Sequence, residues 1–342
     1  MSHLLWQRVD LLIDRAQDLE ALREHRLELL AARRWRELGR MVPPDLVEEE
    51  RVAAIMTMTA PLLLEKIRAA AEGPIVLLKG PEVAARYPDP ALRPYGDLDI
   101  LVPDAPAVHQ ALRSAGFQEV GDPALFVEIH HLRPLQLPPF PLRVEVHSAP
   151  KWVDRLEPPP ISALISAAVP SSVSVDGILT LRPDQHALAL AAHSWAHEPL
   201  MRLLELIDIA AMIEGLEPAQ LRALAESWGM ERVWNTTLAA ADAVLNDEGD
   251  RRPPPLRLWA RNIRTVRSRT VFEGHLERWL ADYWALPVQK ALWSTAVSAA
   301  RALRPEEGES WREKLARISL AFRHASTPRS EHDRALARRR RP

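Results

Sequence analysis

Cysteine is absent from the 342 residues, which excludes disulfide scaffolds, thiolate zinc sites and cysteine nucleophiles together. Glycine, at 12 residues, is about half of its usual share of ~7%. Lysine is scarcer still: Lys66, Lys79, Lys151, Lys290 and Lys314 stand among 44 basic residues. A GC-rich coding bias accounts for that without invoking function. A large net charge is missing too. The 44 basic and 46 acidic residues leave −2, so no global field recommends nucleic acid as a partner. Long apolar runs are lacking, and the stretch 187–192 is typical; a membrane helix needs roughly 20 such residues. The first residues reach Arg8 and Asp10 too early for a secretory signal. The expectation is a soluble, cytoplasmic protein with no membrane partner.

What is present is an average globular mixture, 47% apolar and 26% charged, which rules out disorder for the chain as a whole. The length suits two domains, or one with a helical annex. Thirty prolines gather at punctuation such as Pro138-Pro139, Pro158-Pro159-Pro160 and Pro253-Pro254-Pro255. No internal repeat is visible.

Along residues 4–40 apolar positions recur at helical spacing with charge on the other face. Pro43-Pro44-Asp45 opens another helix to about residue 71, with Pro61 as a possible kink. The pattern then changes. Ile75-Val76-Leu77-Leu78 is a short apolar run bounded by turn residues, the signature of a buried strand. A short helix at 82–87, a strand at 97–102, a helix at 105–115 closed by Gly116, and strands at 126–129 and 142–146 follow. A hairpin of 173–175 and 178–181, joined by Asp176-Gly177, ends this part. From Arg182-Pro183-Asp184 onward the chain reads as helices at 184–197, 199–214, 217–229 and 231–246, then more to about 336. Helices, a small mixed sheet, then a helical bundle make an α+β chain. The divisions are 1–72, an N-terminal helical segment; 73–182, the sheet-bearing core; 183–330, a C-terminal helical domain; and 331–342, a basic tail expected to be disordered.

Side chains two apart on a strand share a face. Asp97 and Asp99 therefore point to one side of their strand and Leu98, Ile100 and Val102 to the other. Adjacent carboxylates repel unless a cation or proton lies between them, so replacing Asp99 by Asn is expected to cost little stability. Such oxygen ligands suit Mg²⁺, which takes one or two carboxylates plus substrate phosphates. Glu145, on the alternating run Leu142-Arg143-Val144-Glu145-Val146-His147, could add a third acid from a neighbouring strand. Three acids on one face could hold two ions in the geometry of phosphoryl or nucleotidyl transfer. Taken alone, Asp-x-Asp is common, and its plain reading is a solvated strand edge.

The surroundings narrow this. Leu78-Lys79-Gly80, Tyr87-Pro88-Asp89-Pro90, Leu92-Arg93-Pro94, Gly96-Asp97-Leu98-Asp99-Ile100-Leu101-Val102, Gly116-Phe117 and Val144-Glu145-Val146-His147 occur in an order that resembles the uncharacterised nucleotidyltransferase family of the polymerase-β-like superfamily. His193-Ser194-Trp195-Ala196-His197 and Leu206-Ile207-Asp208-Ile209-Ala210 are similar to that family's helical signature, and the likeness covers residues 70–215. It implies a small mixed β-sheet nucleotidyltransferase core, flanked by the helical segment and the bundle, that transfers a nucleotide from an NTP with release of pyrophosphate. By that resemblance Asp97, Asp99 and Glu145 carry Mg²⁺ or Mn²⁺, and Glu145 also helps deprotonate an acceptor hydroxyl. Better-known members of the superfamily carry Gly-Ser before the acidic pair where this chain has Lys79-Gly80.

Lys79, closing an apolar strand beside a glycine that lets phosphate approach the backbone, is the phosphate candidate; its alternative is an ordinary surface lysine. Arg93 is a second candidate and Arg86 a weaker one; otherwise each pairs with Asp89 or Asp97. His147 shares a face with Glu145 and could orient that acid or touch a phosphate. His130 and His131 lie near the same strands. His193 and His197, four apart on a helix, could join Asp208 in a metal site, which would make the protein a metal-dependent phosphohydrolase; packing between helices is the plain alternative. Most tryptophans read as core. A degenerate, non-catalytic nucleotide-binding protein is the third reading. The partners expected are an NTP and an acceptor, a small molecule or peptide rather than nucleic acid.

Overall fold

The computed structural model describes residues 2–123, 126, 131–153, 156–197, 200–246, 263–305, 309–323 and 325–327. Most of the expected 126–129 strand, His130, the 331–342 tail and the His197 side chain lie outside what is described.

The amphipathic N-terminal stretch folds as three helices, α1 (Ser2–Asp14), α2 (Leu19–Glu24) and α3 (Glu28–Glu37), followed by α4 (Pro44–Ala70). α4 continues through Pro61. Proline removes one backbone hydrogen bond, but Ala60, Leu63, Leu64 and Ile67 around it are completely buried against the sheet. Burial of each such Leu or Ile is worth about 1.5–3 kcal/mol, which outweighs the lost bond.

The strands are β1 (Ile75–Leu77), β2 (Asp97–Leu101), β3 (Gln118–Glu119), β4 (Leu135–Gln136), β5 (Arg143–His147), β6 (Val169–Pro170) and β7 (Ile178–Thr180). They form one sheet in the order β3-β4-β5-β2-β1-β7-β6. β2 with β5 and β1 with β7 are parallel, and the other pairs are antiparallel. The fold is α+β around a mixed sheet, as the sequence predicts. Between strands lie α5 (Pro81–Ala84), α6 (Ala105–Ser114) and α7 (Ile161–Ser166). Asp104 starts α6 by accepting the Ala107 N–H at 3.0 Å, the usual side-chain cap.

The hairpin differs from expectation. β7 pairs with Val169–Pro170, and residues 173–175 are loop. The buried Glu82 carboxylate draws this segment out of line: it accepts the Ser171 hydroxyl at 2.6 Å and the Ser172 N–H at 3.0 Å. Ser174 then adopts φ 60°, which an extended strand cannot accommodate. β3 and β4 are too short for alternation to reveal.

Strand periodicity divides the sheet. Leu98, Ile100, Val144 and Val146 pack with α4 and α6 in one core. The opposite face carries Val76 and Leu101, which pack on Leu164 of α7 and on Leu181, and beside them the polar side chains of β2 and β5. Helices α8 (Pro183–His197), α9 (Leu203–Met212), α10 (Pro218–Ser227) and α11 (Glu231–Leu245) follow. Then come α12 (Val271–Ala285), α13 (Val288–Leu303) and α14 (Trp311–Arg323). One apolar core joins both ends of the chain: Val9, Leu12 and Leu27 pack with Leu188, Ile207 and Trp234. Among the described residues no helix is long and apolar enough to cross a membrane.

Two fully buried histidines tie these layers together. His186 of α8 donates from Nε2 to the carbonyl of Leu78, and His25 donates from Nε2 to the carbonyl of Arg267 at 3.2 Å. Burial pushes both pKa values down, to about 4 for His186 and about 3 for His25. A histidine whose folded pKa lies below its unfolded value loses stability as pH falls from the unfolded pKa toward the folded one. Stability is therefore expected to drop between pH 6.5 and 4, by about 1–2 kcal/mol per histidine at pH 5. Chemical denaturation across that range measures it. His186→Gln keeps a donor without a titrating ring and should flatten the slope; an unaltered slope would remove His186 from the account.

Candidate active site

In the parallel β2/β5 pair, Asp97 lies opposite Arg143, Asp99 opposite Glu145 and Leu101 opposite His147. Registered residues of neighbouring strands present side chains to the same face. This brings the expected acids together: Asp97 and Asp99 from one strand, Glu145 from the next. Asp99 is 2% exposed, and His147 is equally buried. The His147 Nε2–H donates to Asp99 Oδ1 at 3.0 Å, and the same nitrogen is 3.7 Å from Glu145 Oε2. One ligand atom each from Asp99, Glu145 and His147 falls within 4.8 Å of the others. His131 adds Nε2 at 3.6 Å from Glu145 Oε2.

Lys79 lies two residues beyond the end of β1, and the intervening Leu78 N–H donates to the Asp99 carbonyl at 2.9 Å. That bond brings the lysine to the acids, with Nζ at 3.3 Å from Asp99 Oδ2 and 3.1 Å from His193 Nε2. Because ammonium only donates, His193 accepts at Nε2. Gly80 holds φ 69°, ψ −120°, a conformation open to glycine alone. A Cβ there would stand 3.2 Å from the Asp97 carbonyl oxygen. The glycine thus permits β2 to approach.

Charge in the cluster is unbalanced. Burial would raise the Asp99 carboxyl, but the Lys79 ammonium and the His147 hydrogen bond outweigh it and hold it well below the usual carboxylate range. Burial, then the neighbouring charge of Asp99, raises the pKa of Asp97. Burial, then Asp99 and Asp97, raises Glu145 to about 7. One lysine beside three acids leaves a deficit of positive charge. Asp99 Oδ2 has the Lys79 ion pair but no hydrogen bond. A buried carboxylate set with an unsatisfied oxygen and a deficit of positive charge fits a divalent cation.

The opposite wall comes from helices. Asp89 accepts the Ala91 N–H at 2.9 Å and caps a 3₁₀ turn, Pro90–Leu92, that leads to Arg93. Arg93 is 8% exposed and grips Asp208 of α9 with two bonds, 2.8 Å from Nε and 2.7 Å from a terminal nitrogen. The Tyr87 hydroxyl donates to the same carboxylate at 2.7 Å. The partner of Arg93 is therefore Asp208, neither Asp89 nor Asp97, and Arg86 is exposed. Asp208 is fully engaged and supplies no ligand to His193, which faces Lys79. Between the walls lies a cavity of about 540 Å³ bordered by Lys79, Asp97 and Glu145 on the sheet and by His193, Glu205 and Asp208 on the helices.

Arg26, Arg143, Arg202 and Glu205 also border the cavity. Sequence reading passed over their roles. Arg143 carried a signal, since it shares the alternating face of Glu145. Arg26, Arg202 and Glu205 carried none.

The buried Arg93–Asp208 pair invites a direct test. Removing one member of such a pair leaves the other charge buried alone, at a cost of about 3–5 kcal/mol. Asp208→Ala should lower unfolding stability by that amount in urea titration. A loss below about 1 kcal/mol would show that Arg93 is not held by this pair.

No curated protein and no solved structure matches the chain. Residues 13–246 match the family described as uncharacterised nucleotidyltransferase. That span takes in the sheet, the acid cluster and both helical walls of the cavity. It covers well over half of the sequence, and on that ground the chain belongs to the uncharacterised nucleotidyltransferase family.

Proposed function

We propose that the protein moves a nucleoside monophosphate from an NTP to an acceptor hydroxyl or phosphate. The acceptor oxygen bonds to the α-phosphorus, the bond to the β-phosphate oxygen breaks, pyrophosphate leaves, and a hydroxyl acceptor gives up its proton. The observation that carries this reading is the cross-strand pair Asp99–Glu145, with Asp97 on the same face and Lys79 beside it, opening into the cavity. Asp97, Asp99 and Glu145 would hold Mg²⁺, or Mn²⁺ in its place, which would supply charge neutralisation at the triphosphate.

The remaining roles belong to the chain. His147 donates to Asp99 Oδ1 and so aims that carboxylate, as partners of ligating carboxylates do. Lys79 places a cation at the cavity wall for a phosphate oxygen, and its contact with His193 keeps the ammonium aimed there. Arg93, locked to Asp208, borders the cavity as half of a fixed, charge-balanced pair. Gly80 keeps Lys79 and Asp97 adjacent. Glu145 is the most exposed acid of the Asp99–Glu145–His147 cluster, with 20% of its side chain accessible. With its pKa near 7 it suits the proton-accepting role. The acceptor fits a small molecule or an extended peptide end better than a duplex, given a chain charge of −2.

Glu145→Gln and Asp99→Asn separate catalysis from folding. Glu145 has a raised folded pKa, so its charge destabilises the fold above pH 4.5 and increasingly so up to about 7. Glu145→Gln should abolish pyrophosphate release while leaving the thermal midpoint unchanged or higher at pH 8. Asp99 is the reverse case, stabilised as an anion, so Asp99→Asn should lose both turnover and stability. This reverses the expectation from charge repulsion alone, because Lys79 and His147 hold Asp99 as an anion. Incubating each labelled NTP with a cell lysate identifies the acceptor. Undiminished turnover in Glu145→Gln, or full turnover in EDTA, would remove the reading; NTP binding by the wild type without pyrophosphate release would leave a nucleotide-binding protein.

A further inference from the structure

Two guanidinium groups on the helical side of the cavity have no internal explanation. Arg26 stands in the turn between α2 and α3, and Arg202 immediately precedes α9. Both border the cavity. Among the described residues neither side chain has an ion-pair partner or a hydrogen-bond acceptor. Arg23, Arg33, Arg34, Arg93 and Arg269 all have carboxylate partners. The two charges act on each other: burial, then the Arg202 charge, lowers the pKa of Arg26. Asp97, Glu28 and Glu205 supply opposing charge at longer range. Arg26 is exposed and Arg202 half-buried, so what the pair lacks is a contact partner at the cavity mouth, where a bound anion would be drawn to both.

The structure also holds them in place at some expense. Arg26 adopts φ 56°, the left-handed region that a side chain other than glycine or asparagine seldom takes. Leu200, two residues before Arg202, adopts φ 59°. The two turns are joined by the Leu204 N–H donating to the His25 carbonyl at 3.3 Å. Arg269, itself 6% exposed, completes the platform. Its guanidinium donates to the carbonyls of Leu200, at 2.5 Å, and Met201, and its backbone N–H donates to Glu24 Oε1 at 3.2 Å. The first turn of α9 has no side-chain cap. The nearby Glu205 accepts the Ser194 hydroxyl at 2.5 Å and is not within ion-pair distance of either arginine.

We infer that Arg26 and Arg202 form a preorganised clamp for a multiply charged phosphate oxyanion, built from an N-terminal turn and the start of α9. The inference rests on the nucleotidyl-transfer reading of the same cavity and adds a ligand subsite on the wall opposite the carboxylates. The oxyanion is either the terminal phosphates of the NTP or a phosphate carried by the acceptor. Both present the paired oxygens that guanidinium groups bind best.

The test is isothermal titration of the full chain with inorganic pyrophosphate in metal-free buffer. Arg26→Gly removes the charge and suits the backbone at φ 56°, so the turn should fold at least as well. Arg202→Ala and Arg202→Gln remove the second charge without touching the α9 backbone. Each substitution should weaken pyrophosphate binding about tenfold or more while the thermal midpoint is retained. Wild-type affinity in Arg26→Gly and in both Arg202 variants, or no pyrophosphate binding by the wild type, would overturn the clamp. Titrating each NTP and its NMP with Mg²⁺ then assigns the source. Weaker NTP binding with unchanged NMP binding places the nucleotide's terminal phosphates in the clamp; unchanged NTP binding places the acceptor's phosphate there. The metal-free measurement does not depend on turnover, so an overturned clamp and an overturned transferase reading are separate results.

Discussion

Keeping Asp99 ionised inside the protein is the constraint on which this site is built. A carboxylate 2% exposed would take up a proton unless something stabilised the charge. Lys79 and His147 do so from two different strand ends. Each is where it is because of backbone pairing. Leu78 hydrogen-bonds the Asp99 carbonyl, and the parallel β2/β5 register carries His147 past Glu145 toward Asp99. A one-residue slip in that register would turn Glu145 and His147 to the apolar face, where Val144 and Val146 now pack. The same apolar core that stabilises the sheet therefore fixes the geometry of the acids.

Keeping Asp99 ionised leaves its neighbours short of positive charge. Lys79 supplies one positive charge, and the raised pKa values of Asp97 and Glu145 record what remains. On the far wall the imbalance has the opposite sign: Arg26 and Arg202 border the cavity without an ion-pair partner among the described residues, while Arg93 is neutralised by Asp208. A cavity with surplus negative charge on the sheet and surplus positive charge on the helices suits a ligand that brings cations to one side and phosphates to the other. A metal-bound nucleotide is such a ligand.

The helical ends of the chain earn their place by closing that cavity. Arg26 comes from the N-terminal helices, Asp208 and Arg202 from α9, and the segment around Arg269 fastens the two together. One apolar core runs through both sets of helices, so the wall opposite the carboxylates is shared between residues about 180 apart in sequence, a separation set by Arg26 and Arg202.

The sequence by itself determined the local events. Period-two alternation placed Asp97 with Asp99 and Glu145 with His147, apolar runs marked β1 and β2, and Asp104, Gly116 and the prolines marked helix ends. These depend on neighbours within a few residues, where backbone geometry leaves little choice. Tertiary structure decided the pairings over long distances. Asp208 joins Arg93 and Tyr87 rather than His193, Glu82 captures Ser171 and so moves the hairpin partner to Val169–Pro170, and Arg26 and Arg202 come to border one cavity. A buried charge takes whichever opposite charge the packing brings near, and packing sums small apolar contacts over the whole chain. No local pattern encodes that sum, which is why the acids could be read from the sequence and the arginines facing them could not.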